Sequence, residues 1–163
     1  MYFLLIALVA FLTSACANGI TGSNSQNELG EPYSIALDEL ISTDAALNNK
    51  MEYISLDFGK GIPLKESDKQ IIEKHLQSKY NEKIYYFSYE QLLEEELVDD
   101  QDETRLKGIL LRIEKQAQSD KKNNITIEVS KYRSNEGALS AQMTLTYQDG
   151  QWEVTKHTPT RES

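Results

Sequence analysis

Residues 138–157 read ALSAQMTLTYQDGQWEVTKH. Apolar and polar side chains alternate on both sides of Asp149-Gly150, and alternation with a period of two is the signature of a strand with one buried face. Asp-Gly suits a two-residue type I′ loop, whose central residues need positive φ. The stretch therefore predicts an antiparallel hairpin with a defined register. Gln148 is expected opposite Gln151, Tyr147 opposite Trp152, Leu145 opposite Val154 and Met143 opposite Lys156. Trp152 reads as a hairpin anchor against Tyr147.

Two segments upstream, GILLRIEKQAQ (residues 108–118) and NITIEVSKYR (residues 124–133), carry the same period. Leu139, Ala141, Met143, Leu145 and Tyr147 share a face with Ile125, Ile127 and Val129, and with Ile109, Leu111 and Ile113. The opposite face carries Arg112, Glu114, Thr126, Glu128, Gln142, Thr144, Thr146, Glu153 and Thr155. One dry face and one wet face suit an antiparallel sheet.

The first half of the domain has helical spacing instead. Leu37, Leu40, Ile41 and Leu47 place a helix over residues 33–49. MEYISLDF (residues 51–58) alternates, and GKGIP breaks it. Ser67 and Gln70, then Ser88 and Gln91, form capping boxes that open two more helices, the second running to about Leu97. KIYYF (residues 83–87) is a second short strand, and the two short strands suit a small parallel βαβ unit at one edge. The fold class expected is α+β: N-terminal helices and two short strands packed on one face of a C-terminal four-stranded antiparallel meander.

Strand parity also raises a question of chemistry. Past Val129 the inner parity reaches Lys131 and Arg133, and past Val154 it reaches Lys156. With regular strands and a five-residue loop at 134–138, three cations sit at one end of the apolar face, with Lys131 opposite Ala141. That arrangement makes a half-open cleft with a basic floor, a ligand-binding site for a carboxylate or phosphate. A bulge near Lys131 would instead flip the parity and send the cations to solvent. Both readings stand on the sequence.

No catalytic residue is expected. The two histidines, His75 and His157, lack metal-ligand spacing, and both read as surface residues. Ser67 and Ser88 serve as caps. No nucleophile elbow and no glycine-rich phosphate loop occur. The acidic run EEELVDDQDE (residues 94–103) lacks the central glycine of a calcium loop and reads as a solvated helix end. No metal and no cofactor is expected.

The chain begins MYFLLIALVAFLTSACANG, and the apolar run at residues 1–12 is shorter than the about 20 residues of a membrane span. It fits the apolar region of a signal peptide followed by small residues. Thr13, Ser14 and Ala15 precede the sole cysteine, Cys16. This resembles a bacterial lipobox, which implies cleavage before Cys16 and a diacylglycerol on its thiol. The absence of Lys or Arg before the apolar run, and Thr13 where leucine is commonest, depart from that pattern. The other reading of the segment is a buried N-terminal helix with a free cysteine. The next residues, ANGITGSNSQNELGEP, are rich in Gly, Ser and Asn and read as a flexible tether of roughly 20–24 Å r.m.s. span. The organisation expected is a signal peptide at 1–15, a tether at 16–32 and one α+β domain at 33–163.

A formal net charge of -9 excludes the basic footprint of a nucleic-acid binder. It also means that membrane attachment must come from lipid on Cys16 rather than from charge. With Cys16 lipidated, the domain has no thiol for a disulfide, a metal or a nucleophile.

KYRSNEGALSAQMTLTYQDGQWEV (residues 131–154) resembles the C-terminal part of a group of small Gram-positive lipoproteins. The shared pattern is Lys131-Tyr132-Arg133-Ser134, Gly137-Ala138, Asp149-Gly150 and Trp152. PYSIALDEL (residues 32–40) and GILLRIEK (residues 108–115) fit the same group. The chain departs from it at Asn135-Glu136 and in the tail TPTRES. Members are sometimes labelled peptide-transporter substrate-binding proteins, a label that implies a two-lobed fold longer than this chain. The resemblance and the leader together imply a lipid-anchored protein on the outer face of the cell membrane. Its expected role is a non-enzymatic binding or interaction module for an anionic small ligand or an envelope protein. The alternative is a small hydrolase-like envelope enzyme with a pocket between sheet and helices.

Overall fold

The computed structural model describes residues 28–118 and 123–162. The leader at 1–15, Cys16 and most of the expected tether lie outside the described residues. Six strands form one sheet: β1 (Tyr53–Phe58), β2 (Lys83–Tyr85), β3 (Ile109–Gln118), β4 (Asn124–Ser134), β5 (Gly137–Gln148) and β6 (Gln151–Glu162). Their order is β2-β1-β3-β4-β5-β6. β3 to β6 are antiparallel neighbours, whereas β1 runs parallel to both β2 and β3.

This corrects the expected fold class. The two short strands do not pack on the face of a four-stranded meander; they extend the sheet itself, which is mixed and six-stranded. An open β3 edge would leave a row of backbone donors and acceptors unpaired. β1 satisfies them, with Ile54 opposite Ile109 and Leu56 opposite Leu111, so that its apolar residues join the same core.

Three helices complete the fold: α1 (Gly30–Ser42), α2 (Glu66–Tyr80) and α3 (Tyr89–Glu94), with a 3-10 turn at Ala45–Asn48. α1 and α2 cover the dry face. Tyr33, Leu37, Leu40 and Ile41 of α1, with Ile72 and Leu76 of α2, pack on the inward residues of β1 and of β3 to β6. α3 lies on the other face, which is a second correction. Leu92 and Leu106 there cover Tyr53 and Leu110, the neighbours of Ile54 and Ile109 on the opposite parity. The strands next to the β2 edge are thus buried on both sides, while the wet face of β4 to β6 carries no helix.

α1 begins earlier than its apolar spacing implies, at residues assigned to the tether. A buried carboxylate accounts for this. Asp68 Oδ1 accepts from the N–H groups of Leu29 and Gly30, at 2.9 Å each, and Oδ2 accepts from Lys65 N–H at 2.9 Å. One side chain thus satisfies free N–H groups at the starts of two helices. The cap of α2 is therefore not Ser67, which lies inside the helix. Gly30 permits the close approach, since a Cβ there would stand 2.9 Å from the Asp68 backbone. At α3 the expected box is present: Gln91 Oε1 accepts from Ser88 N–H at 2.9 Å, and Ser88 Oγ from Gln91 N–H at 3.4 Å.

The hairpin turns at Asp149 and Gly150, with φ of 53° and 87°. Gln148 faces Gln151, Tyr147 faces Trp152 and Leu145 faces Val154. The Tyr147 and Trp152 rings lie 5.4 Å apart between centroids. Then a bulge intervenes: Thr144 pairs with Lys156 and Met143 with His157, leaving Thr155 as the extra residue. A second bulge, at Arg133, separates Tyr132–Ala138 from Ser134–Gly137. The link between β4 and β5 is consequently a tight turn at Asn135-Glu136, not a five-residue loop. Lys131 lies opposite Leu139, and Ala141 opposite Val129.

Candidate functional site

The three cations singled out by parity do not meet around an open cleft. Lys131 does point inward and is fully buried, at 0% exposure. What covers it is the end of α1. Its Nζ donates to the carbonyl oxygens of Ile41 (3.0 Å), Thr43 (2.7 Å) and Asp44 (3.0 Å), and to Asn48 Oδ1 (3.1 Å). The last carbonyls of a helix lack intrahelical donors and carry its negative partial charge. An ammonium placed among them is a C-terminal cap supplied from another element. Arg133 is buried beside it and donates from Nη1 to Leu47 O at 2.6 Å. Burial pushes the Lys131 ammonium down to about 8.

Lys156 is separated from this pair. The bulge at Thr155 turns it to the wet face, where it is exposed. The same flip carries His157 inward to α1, with Nδ1 3.5 Å from Glu39 Oε1. His75, on α2, lies 3.7 Å from Asp38, whose carboxylate also accepts from Lys79 Nζ and the Tyr80 hydroxyl. Both histidines therefore sit beside carboxylates of α1. In the acidic run, Asp99 and Asp102 accept hydrogen bonds from their own loop. Among the described residues no group of His, Cys, Asp and Glu is placed to hold a metal ion.

An open concavity of about 680 Å³ lies on the wet face, where the layer formed by α3 stops and the bare sheet begins. Its floor follows one cross-strand row. Arg112 of β3 pairs with Ser130 of β4, Ser130 with Ser140 of β5, and Ser140 with Arg161 of β6. Tyr89 and Tyr132 line it as well, 5.3 Å apart in an edge-to-face arrangement. Tyr132 is braced by its hydroxyl, which donates to Thr104 O at 2.9 Å and lies 3.2 Å from Asn135 Oδ1.

Most of the groove's polar groups are held in place. Arg112 donates from Nε (2.8 Å) and Nη2 (2.7 Å) to Asp57 Oδ2. Ser130 Oγ donates to Glu114 Oε1 at 2.9 Å, and Glu90 accepts from Ser88 Oγ at 2.8 Å. Sequence parity places Arg112 and Glu114 on the wet face. It does not show the wall, because α3 was expected on the other side. The signal for the wall is the run Ile109-Leu110-Leu111: three consecutive apolar residues mark a strand buried on both faces.

No family model, no curated protein and no solved structure matches the chain.

Proposed function

We propose that this chain is a lipid-anchored extracytoplasmic binding or interaction module, held at the outer face of the cell membrane through Cys16, with the wet-face groove as its ligand site. The groove carries the reading: it combines a concave shape, two tyrosine rings and oriented polar groups on a rigid sheet, which are features of ligand sites. The hydrolase alternative would draw on Ser130, whose Oγ donates to Glu114 Oε1 in the groove; no histidine lines it.

Ser140→Trp tests the reading, since it fills the groove from an element whose core face is untouched. The wild-type full chain is expected to co-sediment with isolated cell-envelope material, and the variant to lose that retention while keeping its circular dichroism spectrum. Equal retention of both would remove the groove from the binding function. New reducing or amino ends released from that material by the wild type alone would favour the hydrolase.

A further inference from the structure

We infer that the groove takes an oxyanion, a carboxylate or phosphate carried on its ligand, held by Arg161 and Ser140. The inference rests on the groove being a ligand site, and it follows from which hydrogen-bonding groups there remain unspent. The carboxylates of the lining each accept one bond, Glu114 through Oε1 from Ser130 and Glu90 through Oε2 from Ser88. Asp57, behind the lining, holds two nitrogens of Arg112.

The donors are not used up. Arg161 lines the groove, is exposed, and has no hydrogen-bond or ion-pair partner among the described residues. Ser140 Oγ receives a bond from Thr160 Oγ1 at 3.1 Å, so its own proton stays free to donate. Asn135 also lines the groove, and its side-chain amide is already engaged by the Tyr132 hydroxyl, whose one proton goes to Thr104 O. Arg112 has Nη1 outside its pair with Asp57.

These donors converge by register. Ser140 pairs directly with Arg161, and Ala138, two residues along the same face, pairs with Tyr132. A guanidinium and a hydroxyl on adjacent strands make a pair complementary to an oxyanion, because charge-assisted hydrogen bonds of this kind are the strong ones. Guanidinium geometry suits carboxylate and phosphate alike. The Tyr89 and Tyr132 rings leave an apolar surface for the part of the ligand that carries the charge.

The test is a titration of the full chain followed by backbone amide chemical shifts, with sodium phosphate, sodium acetate and a neutral disaccharide as separate probes. Saturable shifts are expected at Ser140 and Arg161 with phosphate or acetate, and the stronger of the two names the source. Arg161→Gln should raise the apparent Kd about tenfold or more, the size expected when a charged hydrogen bond is lost. Anion shifts that survive Arg161→Gln unchanged would mean a diffuse ion atmosphere and overturn the inference. Shifts with the disaccharide alone overturn it while leaving the groove as a ligand site. Silence of both anions also overturns it, and the Ser140→Trp result then decides separately whether the groove binds anything. Retention of Ser140→Trp on envelope material alongside specific anion shifts would instead sink the binding reading.

Discussion

Lys131, on β4, holds its ammonium 2.7 Å from the carbonyl oxygen of Thr43, one residue past the end of α1. The contact joins residues 88 positions apart and fixes the angle at which α1 leaves the sheet. Removing the donor takes this bond from Thr43 O and Asn48 Oδ1, while Ile41 O keeps Asn48 Nδ2 and Asp44 O keeps the Leu47 N–H. Lys131→Met keeps the stem of the side chain and deletes only the charge and its bonds. It is expected to lower stability by about 2–4 kcal/mol near neutral pH. Denaturation by urea measures this, and an unchanged midpoint would show that water replaces the ammonium without cost.

The same pair predicts a pH dependence. Burial holds the folded-state Lys131 at about 8, below its ordinary 10.5. Between those values the unfolded chain binds a proton that the folded chain has released, so stability rises with pH across that window. The gap between wild type and Lys131→Met should therefore widen from pH 8 toward 10.5, by about 3 kcal/mol at most. Tyrosines act in the opposite sense at higher pH. Burial pushes Tyr53 and Tyr132 up to about 12. Their contribution is complete below pH 10 and is lost as the pH rises from 10 toward 12. Urea midpoints at half-unit steps from pH 7 to 11.5 should show a rise and then a fall. A wild-type-to-variant gap that narrows above pH 8 would contradict the Lys131 assignment.

Local patterns and long-range ones were not equally legible. The Asp149-Gly150 turn, the pairs next to it and the Ser88–Gln91 box depend on neighbouring residues, and the sequence shows them. The bulges at Arg133 and Thr155 each insert one residue without any mark in composition. With the shorter turn, the first moves Lys131 from Ala141 to Leu139 on the same inward face, and the second turns Lys156 to solvent. The Asp68 cap on α1 joins Gly30 to a residue 38 positions away, beyond the reach of any capping motif. The groove was hidden for a different reason. Its floor was readable from parity, but its wall depends on α3 crossing to the face where Tyr53 and Leu110 wait for cover.

The hairpin supports a stability test independent of the core. Gly150 has a φ of 87° and open space around it, so a larger residue there meets no neighbour. Any cost of Gly150→Val therefore comes from the backbone, because a β-branched residue resists positive φ. A loss of about 1–2 kcal/mol is expected. Gly150→Asn, which tolerates that region better, should recover most of it. Equal losses in the two variants would mean that side-chain contact, not conformation, governs the turn.

The anchoring proposal predicts a chemical fate for Cys16. It is the sole cysteine and follows the small residues Thr13, Ser14 and Ala15. If its thiol carries a diacylglycerol, cells grown with a labelled fatty acid should incorporate label into the wild-type chain and none into Cys16→Ser. The variant should then accumulate as the uncut precursor or leave the membrane fraction, because a chain with a net charge of -9 has no electrostatic hold on anionic lipid. One acyl chain gives only marginal attachment, so firm retention of the wild type in washed membranes also reports at least two chains. Equal labelling of wild type and variant would place the lipid elsewhere or remove it. Retention of an unlabelled Cys16→Ser chain would mean that the apolar segment at 1–12, not a lipid, holds the protein to the membrane.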